Sequence, residues 1–296
     1  LPDGQKKTAQ PPQLSREEIR RLVRGFAGLG FWKVRLTGGE PTVRQDILEI
    51  ARDVADVPGI RRVALSTNGY RLASLAGALR AAGVSDVNIS LDTLDRERFR
   101  EVTGQDKLGD VVAGIEAALA AGFRSVKINA VWMQGSLERE LGAFLDWVRG
   151  TPVSVRFIEL MRTGDNAAFF EKRFVPSTQL QTVLLRAGWR RQERQTGDGP
   201  AVGFAHPEYR GTIGIIAPYS PDFCASCNRL RVNCRGDLRL CLFGEGGYPL
   251  RPFLREDTQV GELQQAVRAV LVDKKAGHEL QEGRYGLTRN FATIGG

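Results

Sequence analysis

This chain predicts an α/β fold of barrel type, on three observations. Strand-like and helix-like segments alternate through its first half. The strand-like segments end in polar motifs. The alternation stops after Met161, and all four cysteines lie beyond it, between Cys224 and Cys241. Strands alternating with helices argue for a parallel sheet with right-handed crossovers. Barrel enzymes carry their active sites where strand C-termini emerge.

The elements follow in order. Residues 15–30 read as a helix, because Ser15-Arg16-Glu17-Glu18 forms a capping box and Ile19, Leu22, Val23 and Phe26 recur at helical spacing. Residues 33–37 read as a short strand running into Gly38-Gly39, and 45–57 as a helix. Strand 62–66, helix 71–82, strand 86–90 and helix 109–121 come next. Strand 125–131, helix 137–149 and strand 153–159 complete the series. The polar ends are Thr37-Gly38-Gly39-Glu40, Ser66-Thr67-Asn68-Gly69, Ser90-Leu91-Asp92, Lys127-Ile128-Asn129 and Arg156-Phe157-Ile158-Glu159. Beyond Met161, 176–187 reads as a helix. Residues 189–217 read as short strands, clearest at 211–216, and 257–275 as an amphipathic helix with Leu263, Val267, Val270 and Leu271 inward. Residues 1–13 read as a loop.

Composition narrows the function. At 296 residues, with 26% charged and 42% hydrophobic residues, the chain is globular. No apolar run approaches the roughly 18 residues of a membrane span, and nothing resembles a signal peptide. Four cysteines confined to one short stretch suit a metal better than the stapling of a secreted fold, so a reducing, cytoplasmic setting is expected. The net charge of +8 suits nucleic acid or a triphosphate equally. The two histidines, His206 and His278, make histidine-rich metal sites and Ser-His-Asp catalysis poor candidates and read as surface or packing residues.

The cysteines follow the spacing C-x2-C-x6-C-x6-C. Four thiolates would close a zinc site; Cys224, Cys227 and Cys241 alone would hold a 4Fe-4S cluster with an open iron, leaving Cys234 aside. Spacing leaves both open. The adjoining Asn228-Arg229-Leu230-Arg231 sets two guanidiniums on alternate positions, so in an extended strand both face one side, and arginine forks suit phosphate oxygens. Gly38-Gly39 makes a tight turn or admits a ligand close to the backbone, and Glu40 then offers a carboxylate to an amino group. Lys33, Arg35, Lys127 and Arg156 sit on predicted strands, where a charge needs a partner. Either Glu40, Asp92 and Glu159 pair with them, or an anionic ligand does; their number, with Arg229 and Arg231, favours a polyphosphate. The terminal Gly295-Gly296 reads as a frayed end or a tail threading a channel.

Val34–Pro41, Ser66–Gly69, Asn88–Asp92, Arg156–Glu159, Phe223–Arg231, Cys241–Phe243 and the Gly-Gly end, in this order over essentially the whole chain, resemble the GTP 3′,8-cyclase family. These are radical S-adenosylmethionine enzymes of molybdenum cofactor biosynthesis. The resemblance implies an incomplete (β/α)6 barrel over residues 1–162 and a C-terminal molybdenum cofactor synthesis domain with its own 4Fe-4S site over 163–296. It implies that Cys224, Cys227 and Cys241 hold that cluster, whose open iron meets the guanine of GTP. It places GTP on Arg35, Ser66, Lys127, Arg229, Leu230 and Arg231, and S-adenosylmethionine on Gly39, Ser90 and Met161, with Glu40 beside them. The implied reaction converts GTP to (8S)-3′,8-cyclo-7,8-dihydroguanosine 5′-triphosphate by way of a 5′-deoxyadenosyl radical. The implied partners are a second copy in a homodimer and a downstream cyclic pyranopterin monophosphate synthase, with neither nucleic acid nor membrane.

One family feature is missing. The family's first cluster takes three cysteines spaced C-x3-C-x2-C just before a segment like Leu1-Pro2-Asp3-Gly4, and this sequence starts at that segment. The expectation is an N-terminally truncated cyclase that lacks its first strand and first cluster and is inactive alone; the C-terminal cluster stays on this chain, and a further 4Fe-4S cluster beside it is expected only in the full-length enzyme. The rival expectations are a non-catalytic GTP- and iron–sulfur-binding remnant and a zinc-ribbon protein that binds nucleic acid.

Overall fold

A computed structural model describes residues 13–194, 197–221, 223–225, 227–244 and 246–286. The opening Leu1-Pro2-Asp3-Gly4 segment and the Gly295-Gly296 tail lie outside the described residues.

Helix α1 (Arg16–Gly28) starts at the capping box anticipated for it: Ser15 accepts from the Glu18 amide, and Glu18 reaches back to the Ser15 amide. Strand β1 (Lys33–Leu36) leads through a 3₁₀ turn to α2 (Ile47–Ala55). The pattern repeats through β2 (Arg62–Thr67), α3 (Leu72–Ala81) and β3 (Val84–Ser90). Two helices follow β3, α4 (Arg96–Thr103) and α5 (Leu108–Ala120), then β4 (Ser125–Trp132). A π-helical turn over Leu137–Leu141 runs into α6 (Gly142–Gly150), and β5 (Ser154–Glu159) ends the run. The sequence reading gave one helix where this π turn and α6 adjoin.

Helix α4 is an element the sequence reading lacks. Its signals are present: Asp95 caps its N-terminus by accepting from the Arg98 amide, and Gly104 ends it at φ 70°. Helix α7 (Ala167–Arg173) is likewise additional, and α8 (Thr178–Arg186) answers the helix expected over 176–187.

The sheet does not stop where the alternation does. Strands β6 (Arg190–Arg191), β7 (Val202–Ala205) and β8 (Thr212–Ile216) join the first five in one eight-stranded sheet ordered β1-β2-β3-β4-β5-β8-β7-β6. Strand β8 lies parallel to β5, with Arg156 opposite Gly214, so the parallel run has six strands, the last supplied by the C-terminal part of the chain. Strands β7 and β6 continue it antiparallel.

The register gives the sheet two unlike faces. Lys33 pairs with Arg62, Ser66 with Asn88, Asn88 with Lys127, Asn129 with Arg156, and Arg156 with Gly214. Side chains alternate along a strand, so these residues share one face. The other face carries Val63, Leu65, Val87, Ile89, Val126, Ile128, Val155, Phe157, Ile213 and Ile215, all buried beneath the helices in one core. The sheet is also curled. In a flat sheet with strands about 4.8 Å apart, β7 would lie six steps from β1, roughly 29 Å away. Yet the Lys33 ammonium of β1 donates to the Gly197 carbonyl, in the connection between β6 and β7, at 2.9 Å. Gly197 is too few residues from either strand to bridge that gap, so the two ends of the sheet must bend toward each other.

The remaining chain forms a small sheet of β9 (Arg231–Val232), β10 (Asp237–Arg239) and β11 (Tyr248–Pro249), followed by α9 (Val260–Leu271). Leu263 and Val267 of α9 bury a second core against Leu22 and Phe26 of α1, which docks this unit on the first half. No described helix is long and apolar enough to cross a membrane.

Candidate active site

The polar sheet face is a field of positive charge. Arg35 remains water-accessible while protein surrounds it; desolvation lowers its pKa, and Arg229 lowers it further. Burial brings Lys33 down to about 8, aided by Arg62 and Arg35. Lys127 falls to about 7 through burial first and then Arg156. Arg156 falls to about 10 through burial and Arg35. These perturbations trace one connected cluster, because each cation feels others on neighbouring strands. The counter-charge within it is Asp86, which pairs with Arg62 and lies 3.7 Å from Lys127, and Asp198 faces Arg156. Three polar atoms buried on this face, Asn88 Oδ1, Asn129 Oδ1 and Arg156 Nε, have no hydrogen-bond partner among the described residues. Buried polar groups are normally satisfied; Arg156 Nε is a donor suited to an anion, while the two amide oxygens call for a donor group on the occupant.

The cysteine loop borders the same field. The Arg231 pKa is brought to about 10, by burial first and by Arg229, while Cys227 and Cys241 oppose the fall. One guanidinium therefore sits beside two of the thiols, and Arg35 of β1 influences it as well. Cys224 joins them through its carbonyl, which accepts from the Cys227 amide at 2.9 Å. Burial pushes the Cys227 thiol up, but hydrogen bonding from Arg229 and the charges of Arg229 and Lys274 more than offset it, and its pKa is lowered. A thiolate is the form that binds metal. The Arg229 guanidinium stacks over Phe223 at 5.6 Å. Leu230, between the two arginines, packs against the second core.

The donor set fits an iron–sulfur cluster: thiols only, one already poised toward thiolate, with cations nearby to balance the charge. Among the described residues no three His, Cys, Asp or Glu side chains gather as ligands for a single ion. A cuboidal cluster does not need that convergence, because each thiolate binds a different iron. Cys234 lies apart, exposed in the turn between β9 and β10.

At the other strand ends, Gly39 follows β1 in an open turn where a Cβ would meet nothing within 4 Å. The Glu40 carboxylate is heavily used. Its Oε1 accepts from the Thr42 amide at 2.9 Å, the Thr42 hydroxyl at 2.6 Å and the Thr67 hydroxyl at 2.8 Å, and its Oε2 accepts from the Asn68 amide at 2.6 Å. Glu40 thus stitches the β1 loop to the β2 loop and leaves capacity only on Oε2. Ser66 faces Asn88 on the polar side, Ser90 ends β3 with its side chain exposed, and Met161 lies just past β5.

The ion pairs anticipated between the strand cations and Glu40, Asp92 or Glu159 are not formed. Asp92 accepts from the Val131 amide at 2.7 Å, and Glu159 accepts from the Ser177 and Tyr219 amides. These carboxylates are turned to backbone donors of other segments of the chain, so the cations share Asp86 instead.

Comparison with known proteins decides the family. The Radical SAM superfamily matches residues 4–148, and Molybdenum Cofactor Synthesis C matches residues 153–280. The GTP 3′,8-cyclase of Aeromonas hydrophila subsp. hydrophila is 51% identical over 301 residues, covering 100% of this chain and 88% of that protein. The GTP 3′,8-cyclase of Stenotrophomonas maltophilia strain K279a is 50% identical, covering 100% and 91%. The chain belongs to the GTP 3′,8-cyclase family.

It is therefore a radical S-adenosylmethionine enzyme of molybdenum cofactor synthesis, a class that uses a 4Fe-4S cluster and S-adenosylmethionine. The fold agrees: the crystal structure of Streptococcus suis SuiB bound to S-adenosylmethionine superposes with TM-score 0.55 at 14% identity, over 88% of this chain and 62% of that one. For a GTP 3′,8-cyclase, the structure adds residues that sequence reasoning passed over. Arg62 and Asp86 belong to the cation field, but in sequence each is only the first residue of an expected strand. Lys274 donates to the Leu240 carbonyl at 2.7 Å and the Arg229 carbonyl at 3.4 Å, although it lies far along the chain. His278 donates its amide to Cys224 Sγ at 3.5 Å, and its ring lies between Phe223 and Phe243. Its expected packing role holds, but at the cysteine loop. His206 packs with Trp189 and Tyr209.

Proposed function

We propose that the polar sheet face and the cysteine loop together form a GTP site, with the triphosphate on the cation field and the guanine toward a 4Fe-4S cluster held by Cys224, Cys227 and Cys241. The observation that carries this reading is the electrostatic chain from Lys127 and Arg156 through Arg35 to Arg229 and Arg231, which ends at Cys227 and Cys241. A run of cations this poorly neutralised is costly unless an anion completes it. A triphosphate supplies several charges on adjacent groups, and arginine forks match its oxygens.

Arg35, Lys127, Arg229 and Arg231 take phosphate oxygens in this reading, Ser66 adds a hydroxyl, and the Leu230 backbone lies between the two arginines. Gly39, Glu40 Oε2, Ser90 and Met161 hold S-adenosylmethionine at the strand ends, Gly39 by leaving space and Glu40 by accepting from its amino group. When bound and given one electron by a reduced 4Fe-4S cluster, S-adenosylmethionine would supply a 5′-deoxyadenosyl radical to take hydrogen from GTP, and ring closure with a further electron and a proton would give (8S)-3′,8-cyclo-7,8-dihydroguanosine 5′-triphosphate. The protein's own work is to fix the nucleotide by both ends, so that ribose is presented in one orientation. All four cysteines of the 296 residues lie at 224–241; in this reading those residues alone hold one cluster and bind GTP without turning it over. A homodimer and delivery of the product to a cyclic pyranopterin monophosphate synthase complete the proposal.

The test is a GTP titration of the anaerobically iron–sulfur-reconstituted protein. Arg35→Met combined with Arg231→Met should weaken binding at least about tenfold, the loss of one good charge-assisted bond. Cys241→Ser should reduce bound iron and sulfide, whereas Cys234→Ser should leave both unchanged. Undiminished GTP affinity in the double arginine variant would sink the substrate placement; loss of the cluster in Cys234→Ser would sink the ligand set.

A further inference from the structure

We propose that Asp86 is a positioning residue for GTP: its buried carboxylate holds Arg62 and Lys127 in the arrangement that receives the triphosphate. This role rests on the GTP reading above. Asp86 is 1% exposed, at the centre of the polar face, on β3 between the strands that carry Arg62 and Lys127. Its Oδ2 accepts from Arg62 Nε at 3.2 Å and the Ser85 hydroxyl at 2.6 Å, and its Oδ1 accepts from the Arg62 terminal nitrogen. Arg62 is thereby gripped by both prongs. Lys127 Nζ stands 3.7 Å from Oδ1. That is beyond hydrogen-bond length, so charge alone links the two.

The groups that face Lys127 are Arg156 from β5, Asp86 from β3, Lys33 from β1 and Arg62 from β2. Of these only Asp86 is negative. Burial and the three cations favour loss of the Lys127 proton; Asp86 opposes that loss. A neutral lysine attracts a triphosphate far less. Asp86 therefore keeps Lys127 charged while the site is empty, and Arg62 tempers how strongly it does so.

Removing either partner of the Asp86–Arg62 pair disturbs the same spot, but the two changes should move Lys127 in opposite directions. GTP dissociation constants would be measured from about pH 5 to 9.5 on the iron–sulfur-loaded wild type, Asp86→Asn, Arg62→Met and Lys127→Met. The nucleotide titrates identically in all four, so differences report the protein. Wild-type affinity should fall as pH rises above about 7. In Asp86→Asn the fall should begin about one pH unit lower. In Arg62→Met it should begin higher, and in Lys127→Met the limb near pH 7 should vanish, leaving only the later fall as Lys33 titrates at about 8. Equal limbs in Asp86→Asn and wild type, or shifts of the same sign in Asp86→Asn and Arg62→Met, would overturn the inference. If Asp86→Asn does not fold, an unshifted or downward-shifted limb in Arg62→Met overturns it alone. A wild type that binds no GTP, or a Lys127→Met protein that binds it as tightly as wild type with the same pH limb, overturns the GTP reading itself.

Discussion

The Lys274 ammonium donates to the Leu240 carbonyl at 2.7 Å, one residue before Cys241. It also reaches the Arg229 carbonyl at 3.4 Å, two residues after Cys227. One side chain just past the end of α9 thus ties both banks of the cysteine loop. Lys274→Met should loosen that loop and remove a charge that lowers the Cys227 pKa. A lost charged hydrogen bond costs about 1.5–3 kcal/mol. The variant should take up iron–sulfur less completely and surrender it faster to a chelator, measured by iron release under anaerobic conditions.

Gly197 should tolerate no side chain. Its φ is 88°, and an added Cβ would stand 2.4 Å from Trp32 Cη2. The left-handed backbone costs a non-glycine residue about 1–2 kcal/mol before the clash is counted. Gly197→Ala should free the β6–β7 connection from β1 and break the Lys33 contact. Hydrogen exchange by mass spectrometry should speed up in the peptides bearing Trp32–Lys33 and Gly197, while α5 stays protected.

Lys127 gives a pH dependence of stability with a definite sign. Its folded pKa of about 7 lies below the ordinary 10.5, chiefly from burial. Between those values the unfolded chain binds more protons than the folded one, so this group makes stability rise with pH across that window. Below about pH 7 its full penalty is present. Lys127→Met should therefore melt higher than wild type at pH 6.5, with the gap narrowing toward pH 10. A constant gap would show that Lys127 does not titrate there.

Glu40→Gln should destabilise the strand-end loops. Every group that meets the Glu40 carboxylate is a donor in these contacts, and an amide NH₂ must face at least one of them. The cost of a buried donor left unmet is about 1–3 kcal/mol. Thermal unfolding should show a lower midpoint, and equilibrium dialysis should show weaker S-adenosylmethionine binding.

Much of the first half was legible in the sequence because it rests on local rules. The capping box at Ser15 is set by nearest neighbours and reads directly, and so does the helix it opens. Helix α4 was missed although Asp95 and Gly104 punctuate it, because its eight residues bury only Phe99 and so show almost no apolar period. The role of β8 was not legible for a different reason. Its partner β5 lies across α7, α8 and two other strands, and no local pattern states which edge a distant strand will join.

The sequence by itself determined the family, the alternating strands and helices, the cysteine spacing and the surplus of cations, all properties of short runs of residues. Only the tertiary structure decided that Arg62 and Asp86 share a site with Lys127 and Arg229, that Lys274 and His278 close on the cysteine loop, and that Glu40, Asp92 and Glu159 serve backbone amides. The reason is physical. A charge settles its account with whatever the packed core brings within a few ångströms, and that neighbourhood is created by strand register and sheet curl.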